Sequence, residues 1–352
     1  MQIICVNIKN VVPLWVKEIN NLKIQILMAV FAIYKCIISA IVDDVYIANP
    51  KEHLPQGQEL LENVLLHLPT ATKKTKNGEE KPYTTKVLSN SQNIHIMLIS
   101  DPKDVKLTDE QQVQYDADHF PPCHVIFDNR DDIGLLAIEK SSDAFRNNTD
   151  RLRDVLEDII SKELFQYHLK VELNIKKQVG EFWEVVDLNR SIGDWVKSIK
   201  FSFPNPNNTS LTQINRAAIE SEYIRALAVV TRALQATRGT IEFGTDDETG
   251  LRMKNEEDLA HMVCLCCDNG YELSVLFAKS GEYKYGDEKR MLRELNLKAI
   301  EEHILQTGND NLLWDKRFLI DWLDDIYLDS QNYIDAHTIT NTRKRRTKKL
   351  NY

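Results

Sequence analysis

The chain has 352 residues and a mass of 40.7 kDa, which favours two domains at roughly 150 residues each. Hydrophobic residues at 43% and charged residues at 28% exclude wholesale disorder and a polytopic membrane protein, while 12 Gly and 10 Pro exclude collagen-like and long flexible segments. The net charge of -9 is uneven: Arg343, Lys344, Arg345, Arg346, Lys348 and Lys349 place six cations and no acid in the last twelve residues, which leaves -15 for residues 1–340. So acidic a body repels phosphate at long range, and polyanion contact is expected on the tail or on a local patch.

Along the chain, residues 24–42 form 19 positions interrupted by the polar Gln25, Lys35 and Ser39. The length suits a membrane helix. Against that, Lys35 near the middle costs about 2.5–3.5 kcal/mol in a bilayer, and the Ile, Val, Phe and Tyr content suits a strand. Val30–Ser39 is therefore predicted as the first core strand, with residues 1–27 an N-terminal extension and no membrane contact expected. Leu60–Leu66 is predicted as a helix, 69–93 as an exposed loop, Ile94–Ile99 as a strand and 101–118 as a polar connection.

Cys123–Phe127 and Ile133–Glu139 flank a polar turn and predict a hairpin. Asn148 or Thr149 then caps a helix whose apolar stripe is Leu152, Val155, Leu156, Ile159, Ile160 and Leu164. Strict alternation of Leu169, Val171, Leu173 and Ile175 predicts a half-buried strand. A helix around Phe182–Leu188 and a strand through Ile199, Phe201 and Phe203 follow.

Two prolines in 204–210 mark a boundary. Beyond it the pattern predicts a long helix over 211–236 and a hairpin of Thr240–Phe243 with Gly250–Met253. A helix from Asn255 or Asp258 to near Gly270 and a strand over Tyr271–Ala278 come next, then helices over Lys289–Leu305 and Leu312–Tyr327. The expected fold class is α+β: two α+β layers with mixed, partly antiparallel sheets and helices packed on them. The expected domains are 28–205 and 210–330, followed by a basic tail at 331–352.

Six cysteines occur, at 5, 36, 123, 264, 266 and 267, and three of them crowd into four positions. That spread does not suit a disulfide framework, and no cleavable leader is evident, so a reducing cytoplasmic location is expected. His261 with Cys264, Cys266 and Cys267 lacks a second ligand pair at structural-zinc spacing, so core packing is expected and no metal is assigned. His119, Cys123 and His124 place a thiol beside imidazoles, but spacing alone gives no oriented base.

A metal-dependent nuclease needs an acid on one strand and an acid-x-Lys pair on the next. Glu282 and Lys284 supply the pair, although Ser280-Gly281 puts Glu282 in a turn beyond the strand. Asp268 and Glu139 are the further candidate acids. Trp183, Trp195, Phe201 and Phe203 lie near Lys197 and Lys200, an arrangement single-strand binders use, but core packing explains it as well. No phosphate loop, nucleophile elbow or zinc-protease helix occurs, and no cofactor is expected.

Two functional expectations follow. The first is a non-catalytic macromolecule-binding protein that contacts nucleic acid or another polyanion through Arg343, Lys344, Arg345, Arg346, Lys348 and Lys349. The second is a metal-dependent nuclease or hydrolase using acids of the hairpin regions. A bacterial phage-defence or mobile-element setting is carried as an expectation that rests on no residue.

Overall fold

A computed structural model describes residues 28–41, 57–74, 80–108, 114–130, 133–203, 239–253, 257–297 and 318–329, with Val230 and Leu234 besides. The apolar run forms β1 (Met28–Ala40), buried on both faces, which is why it shows little alternation. Helix α1 (Gly57–Leu66) turns Leu60, Leu61 and Leu65 inward. A ribbon of β2 (Thr72–Lys74) and β3 (Glu80–Pro82) leads into β4 (Thr84–Ser91), then β5 (Ile94–Ser100).

The loop expected over 69–93 is thus largely strand: β4 is an edge with solvent-facing Thr and Lys, so it lacks apolar alternation. A second ribbon, β6 (Lys103–Thr108) with β7 (Gln114–His119), occupies the polar connection. The predicted hairpin is β8 (Pro122–Asp128) with β9 (Leu135–Glu139). Asn148 caps α2 (Thr149–Leu164) by accepting the Arg151 N–H, and Leu152, Leu156, Ile159, Ile160 and Leu164 are buried. The alternating segment is β10 (Leu169–Ile175), followed by α3 (Val179–Ser191) and β11 (Val196–Phe203).

Beyond 204–210, which lies outside the described residues, come β12 (Gly239–Gly244), α4 (Glu257–Asn269), β13 (Leu273–Phe277), β14 (Gly281–Lys284) and β15 (Leu292–Asn296). A last helix, α5, covers residues 318–329. The helix predicted over 211–236 lies outside the described residues except at Val230 and Leu234.

The fold is α+β. Among the described residues every strand pairing is antiparallel. The larger sheet has seven strands in the order β10-β1-β9-β8-β5-β4, with β15 also on β1, and the smaller has the order β12-β11-β13-β14. One face of the large sheet packs Tyr34, Met97, Phe127 and Leu136 against α1 and α2. Its other face packs Phe31, Ile33, Ile96 and Ile126 against Leu319, Leu323 and Ile326 of α5. There Trp322 meets Phe31 edge-on, with ring centroids 5.8 Å apart. The inner face of the small sheet packs Phe201, Val275 and Phe277 against Phe182 of α3 and Val263 and Cys267 of α4.

Two further sequence expectations change. Residues 250–253 form no strand, because Leu251 donates its N–H to the Val196 carbonyl at 2.8 Å while β12 pairs with β11 instead. The helix expected from Lys289 begins as β15, because Leu292 and Leu295, spaced like a helical stripe, lie on a strand along the edge of β1. Strands on either side of 204–210 pair, β11 with β12 and β13.

Gly134 has φ +53°, and a Cβ there would stand 2.7 Å from the Cys36 carbonyl oxygen, whereas a Cβ on Gly180 in the first turn of α3 meets nothing within 4 Å. Gly134→Ala is therefore expected to cost about 1–3 kcal/mol. Gly180→Ala is expected to stabilise by roughly 0.4–1 kcal/mol. Urea denaturation of the two variants beside the parent checks both signs.

Candidate functional site

Among the described residues, the greatest concentration of buried charge lies where β10 and β15 meet end to end on one edge of β1. Lys176 donates its N–H to the Ile33 carbonyl at 3.0 Å, and Ile33 donates to the Met291 carbonyl at 3.1 Å. Met291 closes the junction by donating to the Lys176 carbonyl at 2.7 Å. Lys177 continues toward the small sheet and donates its N–H to the Cys267 carbonyl of α4 at 2.8 Å.

Both lysine side chains are 3% exposed. The Lys176 ammonium is paired with the Asp268 carboxylate, and Lys177 Nζ donates to the carbonyls of Tyr285 at 3.0 Å and Tyr271 at 3.2 Å. Buried charge is tolerable only when paired or hydrogen-bonded, and these contacts supply that pairing.

Lys35, facing the same side of the large sheet as the α5 core, donates to the Ile133 carbonyl. Burial lowers its ammonium to about 8; the Asp268 carboxylate opposes this and the Lys176 cation adds to it. On the opposite face the Tyr34 hydroxyl lies 2.7 Å from Thr149 Oγ1 and 2.9 Å from Asp150 Oδ1. Arg290, one residue before Met291, clasps the Asp150 carboxylate at 2.8 and 3.2 Å. Burial pushes the Tyr34 phenol well up, so it acts as a neutral tether between β1 and the start of α2.

The candidate acids fall into separate places. Glu139 ends β9 and accepts from His124, through Nδ1 at 2.8 Å and through the backbone N–H at 2.9 Å. Asp268 is committed to Lys176 on the helix packed against the inner face of the small sheet. Glu282 is not in a turn beyond the strand: it is the second residue of β14, opposite Leu276, and shares the outer, exposed face with Lys284. That hairpin forms because the Asp194 carboxylate accepts the N–H groups of Lys279 and Ser280 at 2.7 and 2.8 Å.

Cys264, Cys266 and Cys267 form no disulfide and are packed in the core of the small sheet, with burial pushing Cys266 up to about 12. Their neighbour His261 is buried. Among the described residues no group of three or more His, Cys, Asp or Glu is placed to hold a metal ion. His119 is exposed at the end of β7, apart from the buried Cys123 and His124. Phe201 is buried, Trp183 is partly buried in the same core, and Trp195 carries the Arg190 guanidinium over its ring at 5.5 Å. The basic tail lies outside the described residues.

Sequence reasoning missed three polar sites: Lys176 with Lys177, Tyr34 with Asp150 and Arg290, and His95. Buried on β5, His95 meets Glu62 of α1 at 2.8 Å, and Asn129 donates to the same carboxylate at 3.0 Å. Each joins residues dozens to more than a hundred positions apart, so none leaves a local pattern. The single signal available was Lys35, a cation inside an apolar run. No family model, curated protein or solved structure matches the chain. Among the described residues no helix is long and apolar enough to cross a membrane.

Removing one partner of a buried pair strands the other. Asp268→Ala is expected to destabilise by roughly 3–5 kcal/mol, and the double replacement Lys176→Met with Asp268→Leu to recover most of that. Chemical denaturation of the single and double variants provides the test.

Lys35 gives a pH dependence of definite sign. Its folded pKa lies below the ordinary 10.5, so the cost of keeping it charged is present in full below about 8 and fades as pH rises toward 10.5. Lys35→Met is expected to exceed the parent in stability at pH 7, with the gap closing above pH 10, as read from urea midpoints.

Proposed function

We propose that the chain is a non-catalytic nucleic-acid-binding protein. The observation that carries this reading is the dispersal of the candidate acids: Glu139 serves His124, Asp268 serves Lys176, and Glu282 lies on the outer face of the other sheet. A two-metal or one-metal hydrolytic site needs such acids to converge on one ion. The polar clusters of the described residues instead tie elements together. The six cations of the tail, set against an acidic body, supply a phosphate-seeking segment.

The competing reading, a metal-dependent nuclease, has in its favour that Glu282 and Lys284 share one exposed face of β14, but neither Asp268 nor Glu139 joins them there.

Fluorescence anisotropy with labelled single-stranded RNA, single-stranded DNA and duplex DNA tests the proposal. The full chain is expected to bind, and a chain ending at Thr340 to show a shallower salt dependence by about one unit per lost phosphate contact. In the presence of Mg²⁺ or Mn²⁺ the probe is expected to remain intact on a denaturing gel. Metal-dependent cleavage abolished by Glu282→Gln would establish the nuclease reading instead. Absence of binding by the full chain at low salt would remove nucleic acid altogether.

A further inference from the structure

The sheet edges are not treated alike. At β10 the edge of the large sheet is sealed by α2: Ser161 Oγ accepts the Val171 N–H at 3.1 Å, and Glu157 accepts the Leu173 N–H at 2.8 Å. At its other edge β4 carries Lys86 and a register shift between Val87 and Ser89, two devices that turn a further strand away. β14, at one edge of the small sheet, spans only four residues, two of them charged. β12, at the opposite edge, has none of these devices. Its sequence Gly-Thr-Ile-Glu-Phe-Gly contains no lysine and no proline, and it follows β11 through six residue pairs without a register shift. Among the described strands it pairs with β11 alone.

The ladder fixes which backbone groups β12 offers. Thr245, one step past the strand in the same register, donates its N–H to the Lys197 carbonyl at 2.9 Å. Hydrogen-bonded pairs alternate along an antiparallel ladder, so Ile241 and Phe243 direct their N–H and C=O to Phe201 and Ile199. The N–H and C=O of Thr240 and Glu242, on the intervening pairs, point away from β11 into the open edge. The side chains divide between the faces. Ile241 and Phe243 lie on the inner face beside Phe201, yet Phe243 is 46% exposed, its ring centroid 6.5 Å from that of Phe201. Thr240 and Glu242 are exposed on the outer face, where Glu242 stands opposite Lys200.

Such an edge is complementary to itself. A two-fold axis perpendicular to the sheet keeps inner residues against inner and outer against outer. With the axis at Ile241, the two Ile241 side chains meet, each Thr240 faces the other copy's Glu242, and each Phe243 faces the other copy's Gly239. The outward groups of Thr240 and Glu242 then form hydrogen-bonded pairs, while Ile241 makes the close, non-hydrogen-bonded pair between them. The Phe243 ring covers a glycine that has no side chain to pack. An axis at Glu242 would instead set two carboxylates directly opposite, which disfavours that register. The acidic tip Asp246-Asp247-Glu248 does not oppose the pairing. Asp246 lies five residues beyond Ile241, so the two tips stand about 33 Å apart, several Debye lengths.

From the unblunted edge and its self-complementary register we infer that β12 is a dimerisation strand. It pairs antiparallel with β12 of a second copy about a two-fold axis at Ile241, joining two four-stranded sheets into one of eight. The contact is small, so association is weak, with a Kd in roughly the micromolar range. This pairing does not depend on whether nucleic acid is bound.

Sedimentation velocity of the full chain from about 1 to 100 μM is expected to show a monomer–dimer equilibrium. Thr240 is exposed on the outer face, so changes there spare the core. Thr240→Lys puts an ammonium opposite Glu242 of the other copy, twice per dimer, and is expected to tighten association by about two- to thirtyfold. Thr240→Glu opposes carboxylates instead and is expected to weaken it by a similar factor. Thr240→Pro removes an N–H that β11 does not use, so the dimer is expected to be lost while the melting temperature of the dilute chain stays within a few degrees of the parent. Ile241→Cys is expected to form an intermolecular disulfide with diamide, seen on a non-reducing gel beside the parent, because the axis brings the two positions within bonding reach.

A chain that stays monomeric across the concentration range overturns the pairing, as does a dimer indifferent to the three Thr240 variants. Failure of Ile241→Cys to cross-link within a dimer overturns the register. Slow hydrogen exchange at the Thr240 and Glu242 amides in dilute monomer also overturns the proposal, because another part of the chain then covers the edge.

Discussion

The architecture depends on how β1 satisfies one of its edges. Thirteen residues of strand need a partner along their whole length, and no single strand provides it. β10 covers Tyr34 to Ala40 and β15 covers Met28 to Ala32, with Ile33 as the shared point where one carbonyl and one N–H are taken by different strands. Because β10 leads directly into α3 and the small sheet, and β15 returns directly from it, the junction at Ile33 also couples the two sheets. Lys177 opposite Arg290 is the last bridge before the chains part. Backbone groups at such a parting must all find partners away from water. The bonds among Ile33, Lys176 and Met291, and from Lys177 to Cys267, meet that requirement.

Charge is brought inside at this junction for a geometric reason. Side chains at 176 and 177 point to opposite sides of an extended chain. One finds Asp268 and the other finds two carbonyls, so each side of the crossing is fixed to α4 or to the small sheet. Arg290 performs the same office on the other face through Asp150, where its hydrogen bonds and that of Tyr34 outweigh the burial that raises the carboxyl, so Asp150 sits below its ordinary range. A hydrophobic contact would supply comparable energy without direction. The ion pairs set register and orientation, which is the better-attested use of buried charge.

Elements with strict periodicity were legible from residues alone. The β8–β9 hairpin, the stripe of α2 and the alternation of β10 each carry their environment in their pattern, apolar toward the core and polar away from it. β4 was illegible because an edge strand with solvent-facing Thr and Lys has the composition of a loop. β15 was misread because Leu292 and Leu295 fit a helical spacing, and what makes the segment a strand is an unfilled edge more than 250 residues earlier in the chain. The site followed the same rule. Glu282 and Lys284 were found as a local string, and their face is set by pairing with β13. Lys176 and Asp268 are 92 positions apart, and no window reveals such a pair.

The sharing of the β1 edge also bears on the order in which the protein is made. β1 leaves the ribosome some 250 residues before Leu292 to Asn296, which complete its edge. At about 5–20 residues per second, that leaves roughly 10–50 s in which a long apolar strand waits with its edge half filled. β8, β9 and β10 can dock before then, but among the described strands it is β15 that pairs with Met28 to Ala32 on that side. An unpaired, apolar strand edge is the species that nascent-chain chaperones bind and that self-associates when they are scarce. The yield of folded protein should therefore be governed less by the final stability of the seam than by what shelters residues 28–32 during synthesis.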